Sequence, residues 1–469
     1  MPVTSPLSSG GTTMIRSQRS HAWLAFLGVG AVLGLVLAPA SSQPSPPPPP
    51  APSFSGNIPL AVSIPSGVST PEQARPFFDT FSWQSFVALN WPAAAGSRGT
   101  PNQPNTPSVF LNAASGAQPV VWGTYKEDFE LFDQKNNRPT PWESSTIPVN
   151  PCGGTQIDPG QKVFVRYSKG DSVVEIENQA FSYPLIDQNL NYAVYEIRFN
   201  ESQYNFIRGS DSDPSSWLYL VKNLAAKEPV QMPASSAPST QGAIMIKAAW
   251  KVLVPGVDDP SRFYAVSSLV LDPQTNTCST QQVGLIGFHI AQKLKDFPEW
   301  IWSTFEQVDN VPPAIGPVAG QRYSFNNGTN NPATIGGYAN RPPNMAPKLQ
   351  PVGQRKPVQV TRLNLIPDST AALNAAWQQA LQGTVWRYYQ LVFTQWPSNP
   401  ANFKTREDGG IYPQNAGGAF PANGVTNTVM ETYFQSQSDA AGAGGNSCMS
   451  CHYGADQADF SWTLLRGSH

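Results

Sequence analysis

Cys448-Met449-Ser450-Cys451-His452, near the C-terminal end, constrains this chain more than any other stretch. Cys-x-x-Cys-His is the attachment signature of c-type haem: two thiols add across the two vinyl groups of one porphyrin, and the adjacent imidazole ligates the iron from the proximal side. The chain holds 4 Cys and 4 His in all, so the pattern does not arise from an abundance of either. A dithiol redox pair does not call for the histidine, and a structural zinc would want four clustered Cys or His ligands, for which the sequence has no second cluster. The motif predicts one covalent haem c on Cys448 and Cys451, with His452 as the proximal iron ligand.

Haem of this type is attached outside the bacterial cytoplasm, which makes export a condition of the reading. Arg16 and Arg19 form a charged start, residues 22–37 are a continuous apolar run, and Ala38-Pro39-Ala40 offers a small-x-small cleavage site. Residues 1–40 are therefore expected to be a Sec-type signal peptide cleaved after Ala40. About sixteen apolar residues fall short of the roughly twenty that span a bilayer. Losing Arg16 and Arg19 moves the net charge from −2 to −4. With charged residues at 13% and no basic run, there is no electrostatic footprint for nucleic acid. The mature protein is expected in the periplasm or secreted, off the membrane, with a redox partner protein.

Cys152 and Cys278 are the only thiols outside the motif, and in an oxidising compartment two spare cysteines are expected to pair. Each reads as part of a surface loop, Cys152 in a Pro-Cys-Gly-Gly turn and Cys278 just after Asp272-Pro273.

Residues 41–69, with Pro46 to Pro50, read as an extended Pro-rich linker. A body follows over 70–425. Thr70, Pro71 and Gln73 form the start signal of a helix, along which Phe77, Phe81, Phe86 and Leu89 recur at helical spacing until Pro92. That stripe reads as core. From about 162 the period changes to two, giving strands over 162–167, 192–199, 244–254, 263–270 and 282–290, with Asp187-Gln188-Asn189 turning a hairpin between 181–186 and the strand from Tyr192. Residues 291–300 read as an amphipathic segment ending in Trp300, and the Asn/Pro/Gly-rich 312–360 as a long loop over the body. A helix over 369–396 has Leu373, Trp377, Leu381, Val385, Tyr388 and Val392 on one face. A shorter helix, 427–435, leads into the haem-attachment segment 426–469. The fold class is α+β: a central antiparallel sheet with flanking helices and long Pro/Gly-rich loops, carrying haem on the C-terminal segment.

Too little chain follows His452 for a downstream sixth ligand, so the haem is expected to rest on the large body. A four-helix bundle with the motif on its last helix is at odds with the strand-rich middle. His21 leaves with the leader and His469 is terminal, which leaves His289 as the internal histidine that can ligate iron or line a distal pocket. Met430 is the best placed of the methionines, ahead of Met245 and Met232, whereas Met449 lies inside the attachment loop. An open sixth site is the remaining possibility. Glu306, Asp309 and Asn310 form a polar group close in sequence to His289 that can either move protons at the haem or cap a loop.

Trp83 to Pro92, Gly287-Phe288-His289, Ile301 to Pro312, Tyr388 to Val392, and Met430 to Tyr433 followed by Ser447 to His452 resemble a group of uncharacterised bacterial exported proteins, the cytochrome c family proteins. The resemblance spans nearly the whole mature body and implies an exported haem protein; it supplies no substrate. Two functions fit. One is a periplasmic monohaem c-type cytochrome passing single electrons. The alternative is a c-type haem enzyme, peroxidase- or oxygenase-like, acting on peroxide or a small organic substrate. It is motivated by a body larger than electron transfer needs.

Overall fold

A computed structural model describes residues 48 and 50–466 apart from 114–115, 117, 132–138, 146–151, 153–155, 158–161, 165–183, 213–229, 273–276, 314–315, 329–339, 341–354, 401–417 and 436–446. The expected signal peptide 1–40, most of residues 41–49 of the linker, residues 165–167 of one predicted strand, residues 181–183 of the hairpin, much of the loop 312–360 and His469 lie outside the described residues. Pro46–His469 fold as one unit.

The first helix forms where its start signal stands. Thr70 accepts from the Gln73 N–H at 3.2 Å and the Gln73 carboxamide accepts from the Thr70 N–H at 3.2 Å, so helix α1 (Pro71–Leu89) opens on a reciprocal capping box. Its aromatic stripe is core, as the spacing predicts. Phe86 stacks on Phe305 at 4.4 Å and meets Phe288 edge-on at 5.8 Å. Short helices α2 (Pro107–Leu111), α3 (Asp128–Leu131) and α4 (Glu201–Arg208) follow.

Helix α1 covers one face of a nine-stranded sheet of order β1-β3-β4-β6-β7-β8-β9, with β5 and β2 branching from β6. The strands are β1 (Lys126–Glu127), β2 (Val163–Phe164), β3 (Val194–Phe199), β4 (Ile244–Val252), β5 (Ala265–Asp272), β6 (Thr277–Leu294), β7 (Phe297–Gln307), β8 (Tyr389–Pro397) and β9 (Ala419–Phe420). Every pairing is antiparallel except β2 with β5. The α+β class with a large antiparallel sheet is thus as the sequence predicts. β6 is the spine: β4 takes one of its edges, while β5 and then β7 share the other end to end.

Three expected elements differ. The segment 291–300 is the end of β6, a turn and the start of β7, and β7 continues through the polar stretch after Trp300, buried on both faces from Glu299 onward, so no alternation of polarity marks it. The predicted helix 369–396 is helix α5 (Asp368–Ala380), a turn of 3-10 helix at Val385–Tyr388, and strand β8. Gly383, at φ 88°, takes the left-handed conformation that ends the helical run. The predicted helix 427–435 is only a 3-10 turn at Thr432–Phe434, because Asn427 and Thr428 spend their polar groups on the sheet instead. Asp187 does turn the chain, its Oδ1 accepting from the N–H groups of Asn189 and Asn191 at 2.9 Å before Ile186 bridges Tyr192.

Cys152 and Cys278 form a disulfide with Cα atoms 4.9 Å apart. The expected surface loops are corrected in part: Cys278 lies in strand β6, and Cys152 stands at a bend as expected but is buried in the main core. By chain-entropy reasoning such a closure stabilises the fold by about 2–4 kcal/mol.

Candidate functional site

The uncovered face of the sheet receives the C-terminal segment, and the register fixes which side chains meet it. Side chains alternate between faces, so cross-strand partners share one. Met245, Ala291, Trp302 and Gln395 form one row across β4, β6, β7 and β8, and Lys247, His289, Thr304 and Phe393 form the next. Gly287 and Glu306 follow in the row beyond.

The motif is the short helix α6 (Cys448–His452), opened by Ser447, whose Oγ accepts from the Ser450 N–H at 3.2 Å. Helical spacing puts Cys448 and Cys451 on one side, where both are half-buried thiols, and turns Met449 inward to full burial. The Met449 N–H donates to Gln395 at 2.8 Å, and the His452 ring lies 4.3 Å from that of Trp302, so the helix rests on the first row. Cys448 reaches the second row, packing with Val392, Phe393 and Val425. Burial, with the nearby Glu431 charge, pushes the Cys448 thiol well above its usual range.

His452 Nδ1 stands 2.6 Å from the Phe460 carbonyl. A carbonyl only accepts, so Nδ1 carries the proton and Nε2 holds the lone pair, the tautomer suited to a metal. The chain returns to make this contact through a tight turn. Asp459 and Phe460 take left-handed conformations at φ 51° and 66°. The Asp459 carboxylate binds Lys293 at the end of β6 and accepts from the Met232 N–H at 2.7 Å. Trp462, opening helix α7 (Trp462–Arg466), donates to the Cys451 carbonyl at 3.2 Å. It packs so close to Gly454 that a Cβ there would come within 2.5 Å of its ring.

Residues 427–431 bring further polar groups to the second row. Asn427 donates to Thr304 at 2.9 Å, and Glu431 sets its Oε2 3.4 Å from His289 Nε2 without a well-formed hydrogen bond. Burial works to raise the Glu431 pKa, but His289, then Lys247 and the Asn427 N–H, together hold it below the ordinary value. Lys247 is cross-strand from His289. Burial pushes its ammonium down, while Glu431, Cys451 and Cys448, all within electrostatic reach, push the other way. Among the described residues its side chain makes no hydrogen bond or ion pair, only a contact with the Tyr195 ring at 5.4 Å.

His289 therefore shares a face and a row with the segment bearing Cys448, Cys451 and His452. Met430 packs one row beyond His289, completely buried with Val429, Ile286 and Phe325 against Gly287. Met245 lies in the row beneath the motif, and Met232 meets it through its backbone. The polar group at 306–310 does not stay together. Glu306, on β7, pairs with Arg362 and accepts from the Thr428 N–H and hydroxyl. Asp309 is held by Arg262 at 2.6 and 2.7 Å, and Asn310 donates to the Ile286 carbonyl at 2.7 Å. Two clefts, of about 410 and 570 Å³, open elsewhere, and no motif residue lines either.

The donor set suits haem c: two thiols one helical turn apart, a proximal imidazole in the metal-binding tautomer, and a polar row with nitrogen donors on the sheet below. Lys247 is the residue that sequence reasoning passed over. Its signal was a single cation inside the apolar run Ile244-Met245-Ile246-Lys247-Ala248-Ala249-Trp250. Comparison with protein-family models, with curated proteins and with solved structures finds no match.

Proposed function

We propose that this protein is a periplasmic monohaem c-type cytochrome that passes single electrons to or from a redox partner protein. The observation that carries the proposal is the motif helix itself, with its two thiols on one side and His452 held in the ligand tautomer by the Phe460 carbonyl. Haem c would supply a one-electron iron couple. Cys448 and Cys451 hold the group covalently, His452 is its proximal ligand, and His289, with Glu431 beside it, lines the pocket. Trp302 limits the rotation of the His452 ring. The test is a haem-stained denaturing gel of the exported protein. Wild type should give a stained band that Cys448→Ala plus Cys451→Ala abolishes, and haem fully extractable from wild type by acid-acetone would refute attachment.

A haem enzyme of peroxidase or oxygenase type is the second reading, favoured by the carboxylate–imidazole contact between Glu431 and His289, a pair able to exchange protons. In that case the reduced wild-type protein binds carbon monoxide, and His289→Ala slows turnover of peroxide or a small organic substrate without changing the ligand count at iron.

A further inference from the structure

We infer that the buried ion pair between Lys293 and Asp459 sets the reduction potential of the haem by fixing the carbonyl that orients His452, which makes both of them positioning residues of the site. The inference rests on the haem reading above. Along β6, His289, Ala291 and Lys293 alternate toward the C-terminal segment, and Lys293 meets that segment at Asp459. Water is excluded from the pair, with Lys293 at 3% and Asp459 at 0% exposure. Lys293 is itself immobilised. Its N–H donates to the Ala243 carbonyl at 3.0 Å, its carbonyl accepts from the Ser235 N–H at 2.8 Å, and its ammonium also donates to Gln231 at 3.1 Å. Asp459 is thereby tied to the sheet, and the next residue, Phe460, supplies the carbonyl that accepts from His452 Nδ1 at 2.6 Å. Phe460 reaches that position at φ 66°, directly after Asp459 at φ 51°. Two successive residues with side chains at positive φ are strained, and such a turn persists only where its surroundings hold it. The Phe460 N–H closes the turn on the Ala455 carbonyl at 2.9 Å, and the ion pair fixes the closed turn to β6. A hydrogen bond from Nδ1 to a fixed carbonyl makes the imidazole a stronger donor, which favours ferric over ferrous iron. Loosening the turn therefore raises the potential.

Full-length exported protein is compared as wild type, Lys293→Met, Lys293→Arg and the double variant Lys293→Met plus Asp459→Ala, each first shown by haem stain to carry covalent haem. The potential is read by redox titration of the visible spectrum. Removing both charges at once leaves no buried charge unpaired, so the double variant is the one best able to fold. Positioning predicts that Lys293→Met and the double variant both shift the ferric–ferrous equilibrium about tenfold toward ferrous, a rise of about 59 mV for one electron. Lys293→Arg, which restores the ion pair, should stay within about twofold of wild type on the same scale. A charge effect alone predicts otherwise: loss of the Lys293 cation lowers the potential, and the double variant, with the net charge unchanged, keeps the wild-type value. That result overturns the inference. A lowered melting temperature with an unchanged potential in both variants overturns it too, since the pair is then a structural tie and nothing more. If Lys293→Met does not fold, the double variant decides, a raised potential supporting the inference and an unchanged one refuting it. An unstained wild-type band removes the haem reading itself, an outcome distinct from all of these.

Discussion

Gly454 shows how narrowly single residues define the motif's exit from its helix. An added Cβ would lie 2.5 and 2.7 Å from the Trp462 ring, and that ring anchors the Cys451 carbonyl. Gly454→Ala should displace Trp462, cost about 1–3 kcal/mol in overpacking, and lower both the melting temperature and the yield of covalent haem. Unchanged melting and haem yield would show that the turn yields freely. At this scale the sequence was readable where chemistry fixes the spacing, as at Cys448, Cys451 and His452. It was also readable for Cys152 and Cys278, the one remaining pair. Lys247 belongs to no motif in the sequence, and only the register of β4 against β6 reveals that it stands beside His289.

At the scale of elements, the start of the C-terminal segment is held to the sheet through a buried ion pair. Arg362 meets Glu306, which is fully buried, and Glu306 in turn takes the Thr428 N–H and hydroxyl. Arg362→Ala leaves an uncompensated buried carboxylate and should destabilise the protein by about 3–5 kcal/mol, seen as a lower urea midpoint by circular dichroism. A loss of stability below about 1 kcal/mol would place the Arg362 pair among weak surface contacts. The same region shows where periodicity misleads. β7 and β8 are buried on both faces, so Trp300 to Glu306 and Tyr389 to Trp396 show no alternation; Val385, Tyr388 and Val392 continue the helical spacing of α5 by coincidence. Strands β3 to β6 stood near their predicted positions; β3 is buried throughout as well, but Glu196 and Arg198 alternate with apolar residues along it and keep the period of two visible. Residues 427–431 resembled a helix because their bonding partners, Thr304 and Glu306, are more than a hundred residues away.

For the molecule as a whole, buried acids set the response to pH. Burial pushes Asp79 up to about 6, Asp187 up to about 6 and Glu299 up to about 7. Each binds its proton more tightly folded than unfolded, so its contribution to stability is fully present below the unfolded carboxylate range and is lost as pH rises through the folded value. The protein should therefore melt at a higher temperature at pH 5 than at pH 7.5, with Asp79→Asn narrowing the gap. For Asp79, about two pKa units correspond to roughly 3 kcal/mol. A melting temperature that rises from pH 5 to pH 7.5 would contradict this. The docking of α6 on the sheet has a consequence in time rather than in energy. Once Cys448 is packed against the cluster of Val392, Phe393 and Val425 and the Met449 N–H is bonded to Gln395, the thiol is half-covered by protein. If the motif receives haem as proposed, a chain that closes this segment early shuts that group out, and attachment would then have to precede the last step of folding.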